Sequence, residues 1–223
     1  MSQPTRRLWN VGRFVQTLAY FEEIPVVNWL QKMFFGSTPP PPPQFQAGLI
    51  FDFRQLSENL GQTWGALDDV VMGGVSASSF QPHGEGALFT GNVSTDNSGG
   101  FASVRTRNFE PPLNLSGYMG IELSVKGDGQ RYKFFVRDSG TWDSMAYAYS
   151  FETVAEQWIR VRVPFAEMIL VSRARTVQGA QPLNTARIYS MQLMLSKFEY
   201  DGVLNPKFTT GEFRLLVQTI GAY

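Results

Sequence analysis

The chain of 223 residues has no cysteine and a single histidine. Without cysteine it has no disulfides, thiolate nucleophiles, iron–sulfur ligands or cysteine-based zinc sites. A histidine triad or an imidazole metal cluster would have to use His83, yet Gln81-Pro82-His83-Gly84-Glu85-Gly86 reads as an exposed loop. Surplus charge is missing too. The 19 basic and 19 acidic residues cancel, which removes the electrostatic footprint of a nucleic-acid protein. No apolar run approaches the ~20 residues of a membrane-crossing helix, and no apolar core precedes a cleavage site of secretory type. What is present is apolar bulk: 43% hydrophobic and 14% aromatic residues, enough for a sizeable core and incompatible with global disorder.

The first 36 residues carry a helical period. Leu8, Val11, Val15 and Leu18 recur at three- and four-residue steps, Phe14 and Phe21 widen the stripe, and Val26, Val27, Leu30, Met33 and Phe34 continue it past Pro25. Polar residues interrupt the stripe and a small positive surplus accompanies it, which suits a membrane surface or a groove on a partner. Phe14, Leu18, Phe21, Trp29, Leu30 and Phe34 are the docking candidates, and packing back on the chain's own body is the competing reading. A further alternative rests on Arg6, Arg7 and Arg13, which precede any acid and resemble a transit peptide. Five consecutive prolines, Pro39 to Pro43, then favour an extended spacer. The expected organisation is a helical arm over 1–36, a linker over 37–46 and a β domain over 47–223.

From Gln44 onward the texture changes to short alternating segments divided by Gly, Pro, Asn and Asp. Strands are expected at Leu49–Phe53, Val75–Phe80, Ala87–Val93, Phe101–Arg107, Tyr118–Lys126, Arg131–Asp138, Ala146–Phe151, Trp158–Val163, Arg187–Leu195 and Glu212–Thr219. A short helix is expected over Phe165–Val171. So many strands without a long intervening helix predict an all-β sandwich or jelly roll. Alternation assigns the faces: Tyr132, Phe134 and Val136 point to the core while Arg131, Lys133, Phe135 and Arg137 point away. Met145, Tyr147, Tyr149 and Phe151 share one face, which is either core or the lining of a groove.

Two motifs concentrate polar residues. In Trp64-Gly65-Ala66-Leu67-Asp68-Asp69-Val70-Val71-Met72-Gly73-Gly74-Val75-Ser76, a carboxylate pair precedes a glycine pair. Asp68 and Asp69 either satisfy turn amides or point into a site. In Asn92 to Arg105, a polar run ends in Gly99-Gly100 and launches a strand bearing Ser103 and Arg105 on one side. A phosphate cradle would need a helix after those glycines, and a strand follows instead. Asp96 and Asn97 supply oxygens of the kind calcium takes, without EF-hand spacing, so no metal or cofactor is assigned. Asp68, Asp69, Glu122, Asp138, Asp143 and Glu152 offer carboxylates, but no motif pairs them as glycoside hydrolysis requires. Trp142, Tyr147 and Tyr149 near Arg137 suggest an aromatic-and-cation platform that would stack on a sugar or anchor an interface.

Asp69-Val70-Val71-Met72-Gly73-Gly74-Val75-Ser76, Gly99-Gly100-Phe101-Ala102-Ser103-Val104-Arg105 and Trp158-Ile159-Arg160-Val161-Arg162-Val163-Pro164-Phe165 resemble, in order and spacing, the complex I intermediate-associated protein family. Arg131-Tyr132, Arg137-Asp138 and Tyr147–Phe151 fit its middle section. The resemblance runs from about Gln44 to the C-terminus. It implies a jelly-roll β-sandwich similar to galactose-binding and carbohydrate-binding modules, no established catalytic residues, and a role in assembling respiratory complex I. Related domains occur in cyanobacterial and plastid proteins connected with photosynthetic complexes. The absence of a clear mitochondrial presequence, and an arm outside the family's shared part, point to a bacterial, cyanobacterial-type member.

The expectation is therefore a non-catalytic assembly factor without cofactor. It would bind subunits or intermediates of a membrane electron-transfer complex, of the NADH dehydrogenase or photosynthetic type. It would be cytoplasmic, held at the periphery of an energy-transducing membrane such as the thylakoid through residues 1–36. Asp68, Asp69, Ser76, Ser103, Arg105, Arg137, Trp142, Tyr147 and Tyr149 are the candidate partner-binding residues. The alternative is a carbohydrate-binding module using Trp142, Tyr147 and Tyr149.

Overall fold

The computed structural model describes residues 10–21, 48–55 and 60–223. Helix α1 (Val11–Tyr20) begins where Asn10 caps it, the Asn10 Oδ1 accepting from the Arg13 amide at 3.0 Å. The rest of the expected arm, including Trp29, Leu30 and Phe34, and the proline spacer lie outside the described residues.

All ten expected strands form. They are β1 (Leu49–Asp52), β3 (Ala77–His83), β4 (Gly86–Val93), β5 (Phe101–Thr106), β6 (Gly120–Gly127), β7 (Arg131–Arg137), β8 (Ala146–Glu152), β9 (Trp158–Pro164), β12 (Ser190–Ser196) and β13 (Gly211–Ala222). Three short strands join them: β2 (Trp64–Ala66), β10 (Ile169–Ser172) and β11 (Arg175–Thr176). The helix expected over Phe165–Val171 reduces to one 3-10 turn, Phe165–Glu167, because the chain then extends and pairs with β8 through Ile169–Val171.

Two antiparallel sheets face each other. One runs β3-β4-β13-β6-β9, with β1 added beside β13, and the other runs β11-β10-β8-β7-β12-β5-β2. The long strand β13 takes β4 as its partner through Val217 and then β1 from Thr219, and its register against β6 shifts at the same place. One irregularity in one strand thus lets it serve two neighbours on the same side. Between the sheets lie Phe89, Leu123, Tyr132, Phe134, Leu193 and Phe213, all fully buried. Each large side chain of this kind contributes about 1.5–3 kcal/mol by leaving water.

Tyr147 settles on the core side, paired in register with Val136, and Tyr149 beside Phe134. Ala146 and Ala148 take the outer side, where they form a second apolar cluster with Phe135 and Val171. The open choice for this strand resolves to core.

Candidate functional site

The outer face of the seven-stranded sheet carries an unusual load of buried polar residues. Cross-strand register places Arg105, Gln192, Phe135 and Ala148 in one row, and Ser103, Met194, Lys133 and Ser150 in the next. Arg105 and Lys133 are each only 2% exposed, although alternation alone would send them to solvent.

Their cover comes from three distant pieces of chain. The end of α1 lies over β2 and β5: Phe21 packs against Trp142 at 5.0 Å between centroids, and the Arg105 guanidinium lies 5.7 Å from the Phe21 ring and 5.2 Å from the Trp142 ring. Arg105 also donates to the Trp142 carbonyl at 3.0 Å. Arg107 stacks under Tyr20 at 4.4 Å. Tyr20 lies over Gly65, where an added Cβ would stand 2.3 Å from the ring. The third piece follows β12: Tyr200 covers Lys133 at 4.4 Å, and the Lys133 Nζ donates to the carbonyls of Phe198 and Glu199. Burial lowers the Lys133 pKa to about 8, against the pull of Glu199.

The carboxylate pair forms the hinge between this roof and the sheet. Asp69 opens a 3-10 turn, Asp69–Met72, which ends at Gly73 with φ +90°, a left-handed position suited to glycine. The buried Asp69 carboxylate accepts from the Ser76 amide at 2.9 Å, the Ser76 hydroxyl at 2.6 Å, and the amides of Gly100 at 2.8 Å and Phe101 at 3.3 Å. A side chain at Gly74 or Gly99 would collide with it, since an added Cβ would lie 2.3 and 2.4 Å from Asp69 atoms. The two glycine pairs of the sequence therefore meet around one carboxylate. Asp68 accepts from the amides of Ser78 and Ser103, both at 2.9 Å, from the Ser78 hydroxyl at 2.5 Å, and from Arg13 of α1 at 2.8 Å. Arg13 also donates to the Ser76 carbonyl at 2.8 Å. Burial raises the Asp68 pKa, and the Ser78, Ser103 and Arg13 donors oppose it.

From Ser103 a polar relay crosses the sheet. Its hydroxyl donates to the Leu67 carbonyl and accepts from the Gln192 Nε2 at 2.9 Å, while the Gln192 Oε1 accepts from Arg137 at 2.9 Å. Asp68, Asp69, Ser76, Ser103, Arg105, Arg137 and Trp142 thus belong to one connected region. Tyr147 and Tyr149 do not: they point into the core, so the platform expected from Trp142, Tyr147, Tyr149 and Arg137 does not assemble. Phe21 is turned inward against Trp142, while Val11 and Val15 remain 53% and 44% exposed. Gln192, Ser190 and Lys133 were not singled out as site residues. Their signal was polar side chains at alternate positions of otherwise apolar strands.

The carboxylates weighed for hydrolysis are dispersed. Glu122 pairs with Arg162 at 3.1 Å on the opposite sheet, and Glu152 with Lys207 at 2.6 Å. No cluster of three or more metal-ligating side chains forms among the described residues, and no helix among them is long and apolar enough to cross a membrane.

Two antiparallel sheets in this arrangement define a jelly roll of the carbohydrate-binding-module type. A family 11 carbohydrate-binding module from Clostridium thermocellum, solved with a β-1,3-1,4-mixed-linked tetrasaccharide, superposes with a TM-score of 0.52 at 16% identity, over 78% of this chain and 94% of that one. An agarase matches with a TM-score of 0.50 at 8% identity, over 78% of this chain but only 24% of its own. These likenesses concern the fold alone. Residues 51–217 match the profile of complex I intermediate-associated protein 30, and the chain belongs to that family. An uncharacterised protein of Schizosaccharomyces pombe is 31% identical over 166 residues, covering 65% of this chain and 76% of its own. Membership associates the chain with complex I assembly, in a family that is generally non-catalytic.

Proposed function

We propose that this protein is a non-catalytic assembly factor that binds subunits or intermediates of a membrane electron-transfer complex of the complex I type. The observation that carries this reading, beside family membership, is how the polar groups are used. Asp68, Asp69, Ser76, Ser103 and Arg105 are spent on bonds that lock loops and a helix to one sheet face, which builds a stiff recognition surface. Trp142 and Arg137 lie at the margin of that face and are its candidate partner contacts. Tyr147 and Tyr149 act from beneath, by setting the core side of β8.

Helix α1 supplies the second contact. Its inner side, Arg13, Tyr20 and Phe21, holds it to the sheet, while Val11 and Val15 face outward with Phe14 and Leu18 half-buried beside them. In this reading the arm continues onto a client or onto the membrane surface that holds the client. Isolation of the protein from native membranes, with and without residues 1–43, tests it. Co-isolation of complex I subunits with the full chain, lost on deletion while the β domain, though less stable, still unfolds in one cooperative transition, is the expected result. Equal recovery by the truncated chain would remove the arm from the mechanism, and recovery of no complex subunit by either form would remove the function.

The carbohydrate alternative draws on the fold likeness alone. The Trp142 ring is already engaged by Phe21 and Arg105, and Tyr147 and Tyr149 are turned inward, so a flat sugar-stacking surface is not assembled from them. Calorimetric titration with β-glucan and galactan oligosaccharides should give no saturable heat.

A further inference from the structure

Arg137 is the odd member of the polar relay. Its Nη1 donates to Gln192, but its Nε is buried without a hydrogen-bond partner. No carboxylate among the described residues lies within ion-pair distance of it, and the charge that bears on it is another cation, Arg105. Burial first, and Arg105 second, hold its guanidinium well below the ordinary arginine range. A second orphan stands next to it. Ser190 is the cross-strand partner of Arg137 in register, so both side chains project from the same outer face about 5 Å apart at Cβ. The Ser190 Oγ is buried and also without a partner.

Buried polar groups are nearly always satisfied, and a desolvated cation beside another cation is costly. Two such orphans side by side, one a hydroxyl and one the Nε edge of a guanidinium, form a coherent pair of donors. We propose that Arg137 and Ser190 form a receptor for a carboxylate, one oxygen accepting from the Arg137 Nε and the other from the Ser190 hydroxyl. Two donors on paired residues of neighbouring strands match two coplanar oxygens. A phosphate would call for more donors than these two. Gln192 fixes the plane of the guanidinium from the far side, and Arg105 adds positive potential. Part of the Arg137 side chain reaches solvent, whereas its Nε and the Ser190 hydroxyl are both covered, so an entering carboxylate has to displace that cover from the Arg137 side. This site does not depend on the assembly reading, because a small acid suffices to occupy it.

The test is a titration of the full chain with sodium acetate, sodium phosphate and sodium chloride at matched ionic strength. It is followed through the Nε–H resonance of Arg137, assigned by its loss in Arg137→Lys. Acetate should give a saturable shift, with phosphate weaker and chloride featureless. Ser190→Ala, which removes only a hydroxyl and leaves the fold intact, should weaken acetate at least threefold, and Arg137→Gln at least tenfold. An acetylated, amidated peptide with one glutamate separates the sources. Tighter binding than acetate assigns the site to an acidic side chain of a protein, and binding of acetate without the peptide assigns it to a small acid. A linear response equal to that of chloride, preference for phosphate, or undiminished acetate binding by Ser190→Ala would each overturn the proposal. Because none of these readouts involves complex I, a failure here leaves the assembly reading standing, and the reverse also holds.

Discussion

The two sheets are similar in their alternation and opposite in their outer faces. On the six-stranded sheet the outward residues stay wet: Arg162 pairs with Glu122 at 3.1 Å, Lys126 with Glu85 at 2.9 Å, and Arg160 and Arg214 stand exposed. On the seven-stranded sheet the equivalent positions hold Ser103, Arg105, Lys133 and Gln192, all buried under α1, Trp142 and the segment around Tyr200. A strand's alternation states which residues leave the core. Whether they then meet water depends on chain that lies far away in sequence.

The comparison can be broken by removing what holds the roof. The largest effect is expected at Asp69, whose carboxylate accepts four bonds from two separate loops. Asp69→Ala leaves those donors buried and unsatisfied and should lower the unfolding free energy by about 3 kcal/mol or more, read by urea denaturation. A loss below 1 kcal/mol would mean that the loops do not depend on it.

Lys133 is next. Its folded pKa of about 8 lies below the 10.5 of an ordinary lysine. Below pH 8 both folded and unfolded chains hold the proton and the folded state carries the full penalty. Between pH 8 and 10.5 the folded chain releases it first, so stability should rise with pH in that window. The gain should reach a few kcal/mol at most, on the order of 1.4 kcal/mol per unit of pKa difference. Lys133→Met should flatten that rise when both proteins are unfolded across the range.

A smaller loss, about 1 kcal/mol, is expected from Arg13→Ala, because Arg13 is partly exposed and Asp68 keeps its Ser78 and Ser103 donors. Hydrogen exchange should show α1 loosened while β5 and β12 remain protected. The smallest effect belongs to the wet face. Glu122→Ala breaks the Arg162 pair and should cost less than about 0.5 kcal/mol. A cost equal to that of Asp69→Ala would erase the distinction between the faces.

Much of the sandwich was legible because its strands are long alternating runs: the assigned parity of Tyr132, Phe134 and Val136 matches the core. The short strands β2, β10 and β11 were not, since two to four residues carry too little pattern to separate a strand from a turn. The role of Asp68 and Asp69 was legible in kind, as acceptors of loop amides. Their partners were not, because Ser103 and Gly100 stand more than thirty residues away and only pairing of β5 with β2 brings them close. Ser190 and Gln192 stayed hidden within an apolar strand. Tyr147 and Tyr149 showed the reverse failure, since a row of aromatics does not reveal on which side of the sheet it will lie.

The bare backbone at Gly65 has an experimental consequence. A single methyl there, in Gly65→Ala, acts as a wedge under Tyr20 that pries up the helix without altering any charge. It would also open the face of β2, the last strand of its sheet, from the side on which Tyr20 lies. Tyr20 is thus a clasp seated on bare backbone, and faster hydrogen exchange of α1 in the glycine variant, with β12 unchanged, would reveal the wedge at work.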